Sequence, residues 1–237
     1  DATDKTKGAV ADATDKTAYQ VFYQAGYNHD DIYYMSADPS SPPHKDAPSF
    51  AANLEDAITS WSLGRLQDGD PLYLYLADHG DPEVFYLNTG NNSITTLQLQ
   101  SWLQAFQSQR PNSPVVIVIE ACKSGSFITL AQSLSGPGRI VVTATGDNND
   151  SYANPAGQGG GYFSDPFFDA LAQSYSLWDS YILARHAALA QSGSRQTPWI
   201  DGDGDGLPYP VDTNDEGAGQ HLGLGRPAGL SGDPPYI

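Results

Sequence analysis

The segment at residues 115–126, VVIVIEACKSGS, constrains the fold of this chain more than any other. Residues 115–119 are consecutive apolar β-branched side chains with no polar alternation. That is the pattern of a strand buried on both faces, as in a parallel sheet covered by helices. Cys122, the single cysteine, follows just beyond the carboxyl end of this strand. In an open parallel sheet that edge is where ligands bind, so a thiol there can meet a substrate.

Two further apolar runs have the same character. LYLYLA at 72–77 ends in Asp78-His79-Gly80, and RIVVTA occupies 139–144. Helical patterns separate the runs. Thr96 can cap a helix reaching Arg110 with Leu99, Trp102, Leu103 and Phe106 on one face, and a helix is expected at 126–134. Two more follow at 163–174 and 177–191, the latter carrying His186, which reads as structural. Upstream, a helix at 18–24 stops at Gly26, and DIYYMS at 31–36 reads as a strand. The proline-rich loop 37–48 holds His44 and Lys45, and Ser49 can cap a helix with Phe50, Leu54, Ile58, Trp61 and Leu66 along its apolar stripe. A hairpin is expected between 84–87 and 93–95, and a polar loop, 146–161, is long enough to bind a ligand. Strands alternating with helices predict an α/β fold with a mostly parallel sheet.

A length of 237 residues suits one domain with a full core. The boundaries expected are 1–198 for the body and 199–237 for a Gly/Asp/Pro-rich tail packed on it. Asp and Glu number 28 against 11 Lys and Arg, a formal charge of -17 that repels nucleic acid. One cysteine excludes an internal disulfide, and no apolar run is long enough to span a membrane. The start at Asp1, without Met, points to processing or trimming; the location expected is extracellular or cell-envelope. DATDKT at 1–6 recurs at 12–17, an offset of about three helical turns, so both copies fall on similar faces of a solvated helix or of an interaction segment.

His79 and Cys122 each lie immediately after a buried strand, and neighbouring parallel strands bring such termini side by side. A thiol needs a nearby imidazole to supply thiolate, and the imidazole can then protonate a leaving amine. Taken alone, the same residues also fit a small buried cysteine and a histidine hydrogen-bonded to backbone.

Asp78-His79-Gly80 after one apolar strand, with Glu120-Ala121-Cys122 and Ser124-Gly125-Ser126 after another, resembles the legumain family of cysteine endopeptidases, in its bacterial form. The resemblance covers residues 19–199. It implies a caspase-like three-layer α/β/α sandwich, with Cys122 as nucleophile and His79 as general acid and base. The backbone N–H groups of Gly80 and Cys122 would form the oxyanion hole, and Asp78, Glu120, Ser151 and Asp165 would surround the substrate pocket. Cleavage after Asn or Asp goes with the family. The chain departs from its pattern in two places: Lys123 stands where an acid often follows the cysteine, and the expected first strand, with its basic pocket residues, is missing.

A second motif, DGDGDG at 201–206, fits a calcium loop of the D-x-D-x-D-G-x5-[DE] type. Asp201, Asp203, Asp205 and Asp212 supply carboxylates, and Leu207 offers a carbonyl at the seventh position. Asp215 and Glu216, a little further on, either complete the shell or play no part in it, and the string also fits a solvated acidic turn. Pro208 and Pro210 preclude an exiting helix, so the expectation is an isolated loop holding a structural calcium, with no organic cofactor.

The reading is a cysteine endopeptidase acting on peptide or protein substrates through an acyl-thioester. Two others stand beside it: a transpeptidase, and a non-catalytic structural, adhesion or self-assembling module that accepts a strand from another chain near its amino-terminal region.

Overall fold

A computed structural model describes residues 18–37, 45–88, 92–155, 160–219, 222 and 224. The DATDKT repeat and His44 lie outside the described residues. The described chain enters through α1 (Ala18–Gln24) and a short 3-10 turn, His29–Asp31. Only two residues of the expected strand at 31–36 are extended in a ladder. They form β1 (Met35–Ser36), which pairs in parallel with β2 (Ala47–Pro48) apart from the main sheet. The next helix begins one residue later than expected, with Phe50 rather than Ser49 at its cap and no side-chain cap bond. It runs as α2 (Ala51–Asp56), a π-helical stretch (Ala57–Trp61) and α3 (Ser62–Arg65).

The body follows as β3 (Leu72–Ala77), β4 (Gly80–Asp81), β5 (Val84–Tyr86), β6 (Ser93–Thr95), α4 (Thr96–Gln109), β7 (Val115–Glu120), α5 (Ser126–Thr129) and β8 (Arg139–Thr143). After the 146–161 loop come α6 (Ser164–Ala172), α7 (Leu177–Ser192) and β9 (Trp199–Asp201). Thr95 rather than Thr96 caps α4, in a reciprocal capping box with Gln98. The helix expected at 126–134 ends at Thr129, and Leu134 turns back so that its N–H donates to Phe127 O at 2.7 Å.

The main sheet has the order β3-β7-β8-β9. β3, β7 and β8 are parallel, and β9 is antiparallel to β8. Every residue of β7 is buried. Val115, Ile117 and Ile119 join Leu54, Ile58, Leu99, Leu103 and Phe106 on one face. Val116 and Val118, with Ile140 and Val142, join Phe163, Phe167, Tyr181 and Ala184 on the other. Helices therefore cover both faces, which is why this strand needs no polar alternation. Burying each of its apolar side chains is worth about 1.5–3 kcal/mol.

The sheet gains a strand at one margin. β9 was unexpected: three residues ahead of an acidic, glycine-rich run show no period. Its pairing with β8 makes the beginning of the 199–237 segment part of the main sheet. At the opposite margin β3 is the outer strand among the described residues. A cavity of about 320 Å³ lies along it, lined among others by Tyr19, Phe22, Leu54, Trp61, Leu74 and Tyr75.

Candidate active site

The register of β3 on β7 sets the geometry of the site. Ala77 pairs with Glu120 at the last step of the ladder, and the Asp78 N–H continues it by donating to Glu120 O at 3.3 Å. His79 and Cys122 each lie two residues beyond that final pair, on strands that run side by side about 4.8 Å apart. Both leave the sheet at its carboxyl edge.

Glycine at position 80 lets the two chain segments meet. A Cβ placed there would stand 2.7 Å from Cys122 O and 3.0 Å from Ala121 Cβ. The small β4–β5–β6 meander fixes this approach. The Tyr86 N–H donates to His79 O at 3.0 Å, and Gly80 pairs with Phe85 in the next rung. In an antiparallel ladder the rung after a hydrogen-bonded one turns its N–H outward, so the Gly80 N–H points away from the hairpin. The His79 N–H is held by Asp78 Oδ1 at 2.7 Å.

The turn after Cys122 is fastened to the loop that follows β8. The Lys123 N–H donates to Asn149 O at 2.7 Å, and Ser124 exchanges hydrogen bonds with the Thr145 backbone. A Cβ on Gly125 would fall 2.5 Å from Asp147 N and 2.6 Å from the Trp199 ring. Lys123 has a φ of 56°, and its ammonium pairs with Asp81 Oδ1 at 3.1 Å. Hydrogen bonds from Lys123 and Tyr86 hold the Asp81 carboxyl below the usual range, and the bond to Asp81 pushes the Lys123 ammonium up. The cation beside the cysteine is thus shared with a carboxylate. The Cys122 thiol is half-buried and lies 3.7 Å from Ser151 O as a weak donor.

Asp78, Glu120, Ala153, Gly160 and Ser164 line a small cleft of about 10 Å³. Glu120 is buried, and its two carboxylate oxygens accept from the Ser151 hydroxyl and, at 2.9 Å, from the Ser164 N–H. Gly161 packs against that carboxylate, where a Cβ would be 2.5 Å from Oε2. Asp165 accepts from Asn154 Nδ2 at 2.7 Å and abuts Gly160. Burial, and then the Glu120 charge, pushes the Tyr75 phenol well above the usual tyrosine range. Sequence reasoning missed Ser164, Asn154 and Gln196, whose side-chain amide bridges Ala144 O and the Ser151 hydroxyl. None of these belongs to a local pattern; each reaches the site across more than ten residues of sequence or from a different element.

His186 is exposed on α7. In the acidic loop, carboxylate oxygens of Asp201, Asp203 and Asp215 lie within 4.8 Å of one another. Each also accepts backbone N–H groups, as do Asp205, from Leu207 at 2.7 Å, and Asp212, from Asn214 at 2.9 Å, which lie outside this cluster. Leu207 is exposed.

No curated protein matches the chain. The Peptidase C13 family matches it over residues 60–185, a span that contains His79, Gly80, Glu120, Cys122, Ser151 and Asp165. With more than half of its length inside that match, the chain belongs to the Peptidase C13 family, the legumain family of cysteine peptidases.

Proposed function

We propose that the chain is an endopeptidase in which Cys122 attacks the scissile carbonyl and His79 moves the protons. The observation that carries this reading is the shared level of the two residues, each two positions past the Ala77–Glu120 rung. Gly80 brings its backbone against the Cys122 carbonyl. In the first half-reaction His79 takes the Cys122 thiol proton as the sulfur bonds to the carbonyl carbon, and the carbonyl oxygen takes the negative charge. Backbone N–H groups of Gly80 and Cys122 are the donors for that oxyanion. The C–N bond then breaks as His79 protonates the departing amine, leaving an acyl-thioester. Water, deprotonated by His79, attacks the thioester; the acid leaves and the thiol is restored.

Asp78, Glu120 and Ser164 line a small cleft where β3 and β7 end. Carboxylates at this edge of the sheet favour a substrate side chain that donates hydrogen bonds, so asparagine is the residue expected before the scissile bond, whereas an ionised aspartate is repelled until it is protonated. A cleavage profile over a peptide library tests both points. Cleavage after Asn at neutral pH, with Asp accepted only in acid, is the expected result, and Cys122→Ala should show none. Full cleavage by the Cys122→Ala protein would sink the mechanism.

The self-assembly reading draws on a different observation, the outer position of β3 and the 320 Å³ cavity along it. A donated strand from a second copy would continue the sheet there. Concentration-dependent oligomers that persist after Cys122 is alkylated would support it, and a monomer at every concentration would exclude it.

A further inference from the structure

We propose that Asp201, Asp203 and Asp215 bind one calcium ion, which clasps the acidic loop onto the end of β9. This site uses none of the residues of the peptidase reading and lies outside the 60–185 family match. An oxygen from each of the three carboxylates lies within 4.8 Å of the others. Asp201 and Asp215 are 0% and 1% exposed. No Lys or Arg forms an ion pair with any of them among the described residues.

Asp215 supplies the independent observation. Its Oδ1 accepts from the N–H groups of Gly202 and Asp203, at 2.6 and 3.3 Å. Its Oδ2 is buried and has no hydrogen-bond partner. A buried carboxylate with one oxygen left without a donor, in a cluster with two other carboxylates, is a costly arrangement for the protein alone. A cation removes the cost. Burial, reinforced by the charges of Asp201 and Asp203, already pushes the Asp215 carboxyl up to about 6.

The chemistry of the donors selects the ion. Three carboxylates with no His or Cys among them make a hard, all-oxygen site, and water can complete a flexible calcium shell. Magnesium demands stricter octahedral geometry and holds its own water more firmly. The ligand set also departs from the linear motif: the chain returns Asp215, not Asp212, to the first two aspartates. The clasp spans β9, whose Ile200 O accepts from the Tyr209 N–H at 2.7 Å, so an ion there would fix the margin of the main sheet.

The test is a calcium titration of the full chain by isothermal calorimetry after removal of metal with EDTA, paired with thermal melts. One site is expected, with a rise in Tm of about 5–10 °C when calcium exceeds its Kd about 100-fold. Asp215→Asn should bind calcium at least about tenfold more weakly, and its metal-free Tm should match or exceed that of the metal-free parent. Asp203→Asn, at an exposed position, gives the same loss in a variant whose fold is not at risk. Asp212→Asn and Cys122→Ala should keep the calcium response. The proposal is overturned by the absence of heat and Tm shift in the parent chain, by parental affinity in Asp215→Asn, or by loss of binding in Asp212→Asn. Magnesium binding as tightly as calcium would overturn the choice of ion.

Discussion

Adding one methyl group at Gly80 should separate the two halves of the active site without removing any polar group. In Gly80→Ala the new Cβ would meet Cys122 O at 2.7 Å and Ala121 Cβ at 3.0 Å, against an ordinary contact that begins at 3.4 Å. The two segments must therefore part by about 0.7 Å at the Cys122 carbonyl. Neither obstacle is the far end of a flexible side chain, so the backbone has to move. Overpacking of this kind costs about 1–3 kcal/mol, which for a chain of this length lowers Tm by about 2–12 °C. The effect on chemistry should be larger. A misplacement approaching 1 Å costs on the order of 100-fold in rate, and it falls on both the nucleophile and the proposed oxyanion donor. The expected loss in kcat/KM is about 30- to 100-fold, carried mainly by kcat, measured with a fluorogenic asparaginyl peptide on enzyme shown by circular dichroism to be folded. Parental kcat/KM in Gly80→Ala would refute the claim that the His79 and Cys122 segments must approach through this glycine.

Two other perturbations probe the supports of the site. Glu120→Gln replaces one of two acceptor oxygens by a donor facing either the Ser151 hydroxyl or the Ser164 N–H; a thermal melt should register a loss of about 1–3 kcal/mol, and an unchanged Tm would show that this carboxylate is not needed as a double acceptor. The Lys123–Asp81 pair sets a pH dependence. Because the Asp81 carboxyl is lowered, its contribution is present above the ordinary aspartate value and lost as pH falls through the lowered one. The raised Lys123 ammonium contributes below the ordinary lysine value and loses that contribution as pH rises through the raised one. Both side chains are substantially exposed, at 34% and 50%, so solvent screening limits the pair to about 0–1 kcal/mol. The Tm difference between the parent and Asp81→Asn should be largest near neutral pH and vanish towards pH 2; a difference that grows in acid would contradict the assignment.

The parts of this molecule that were legible in its sequence are those with dense local patterns. The unbroken apolar run of β7 placed the central strand, and Asp78-His79-Gly80 after a second run placed its neighbour in the right order. The elements that escaped have little local signal. β9 is three residues long and gains its stability from pairing with β8, a contact that reaches back across α6 and α7. Among the described residues Met35–Ser36 pairs with Ala47–Pro48 alone, apart from the main sheet, and the aromatic run before it joins no ladder there. The expected helix at 126–134 fails because Leu134 folds back onto Phe127 instead of continuing the spiral. In the acidic loop, carboxylate oxygens of Asp201, Asp203 and Asp215 come together through a turn, a proximity that linear spacing alone does not reveal. Gln196 reaches the Ser151 hydroxyl from beyond the end of α7, and no spacing rule would have found it.

The central claim is that Cys122, served by His79, forms a covalent bond to substrate carbonyl carbon. Intact-mass and peptide-mapping spectrometry with an asparaginyl peptide probe carrying a thiol-reactive warhead at its carboxyl end tests it most directly. One adduct per chain is expected, located on Cys122, absent in Cys122→Ala and formed at least about 100-fold more slowly in His79→Ala. Peptide cleavage that continues in Cys122→Ala, or labelling of Cys122 at the parental rate in His79→Ala, would contradict it.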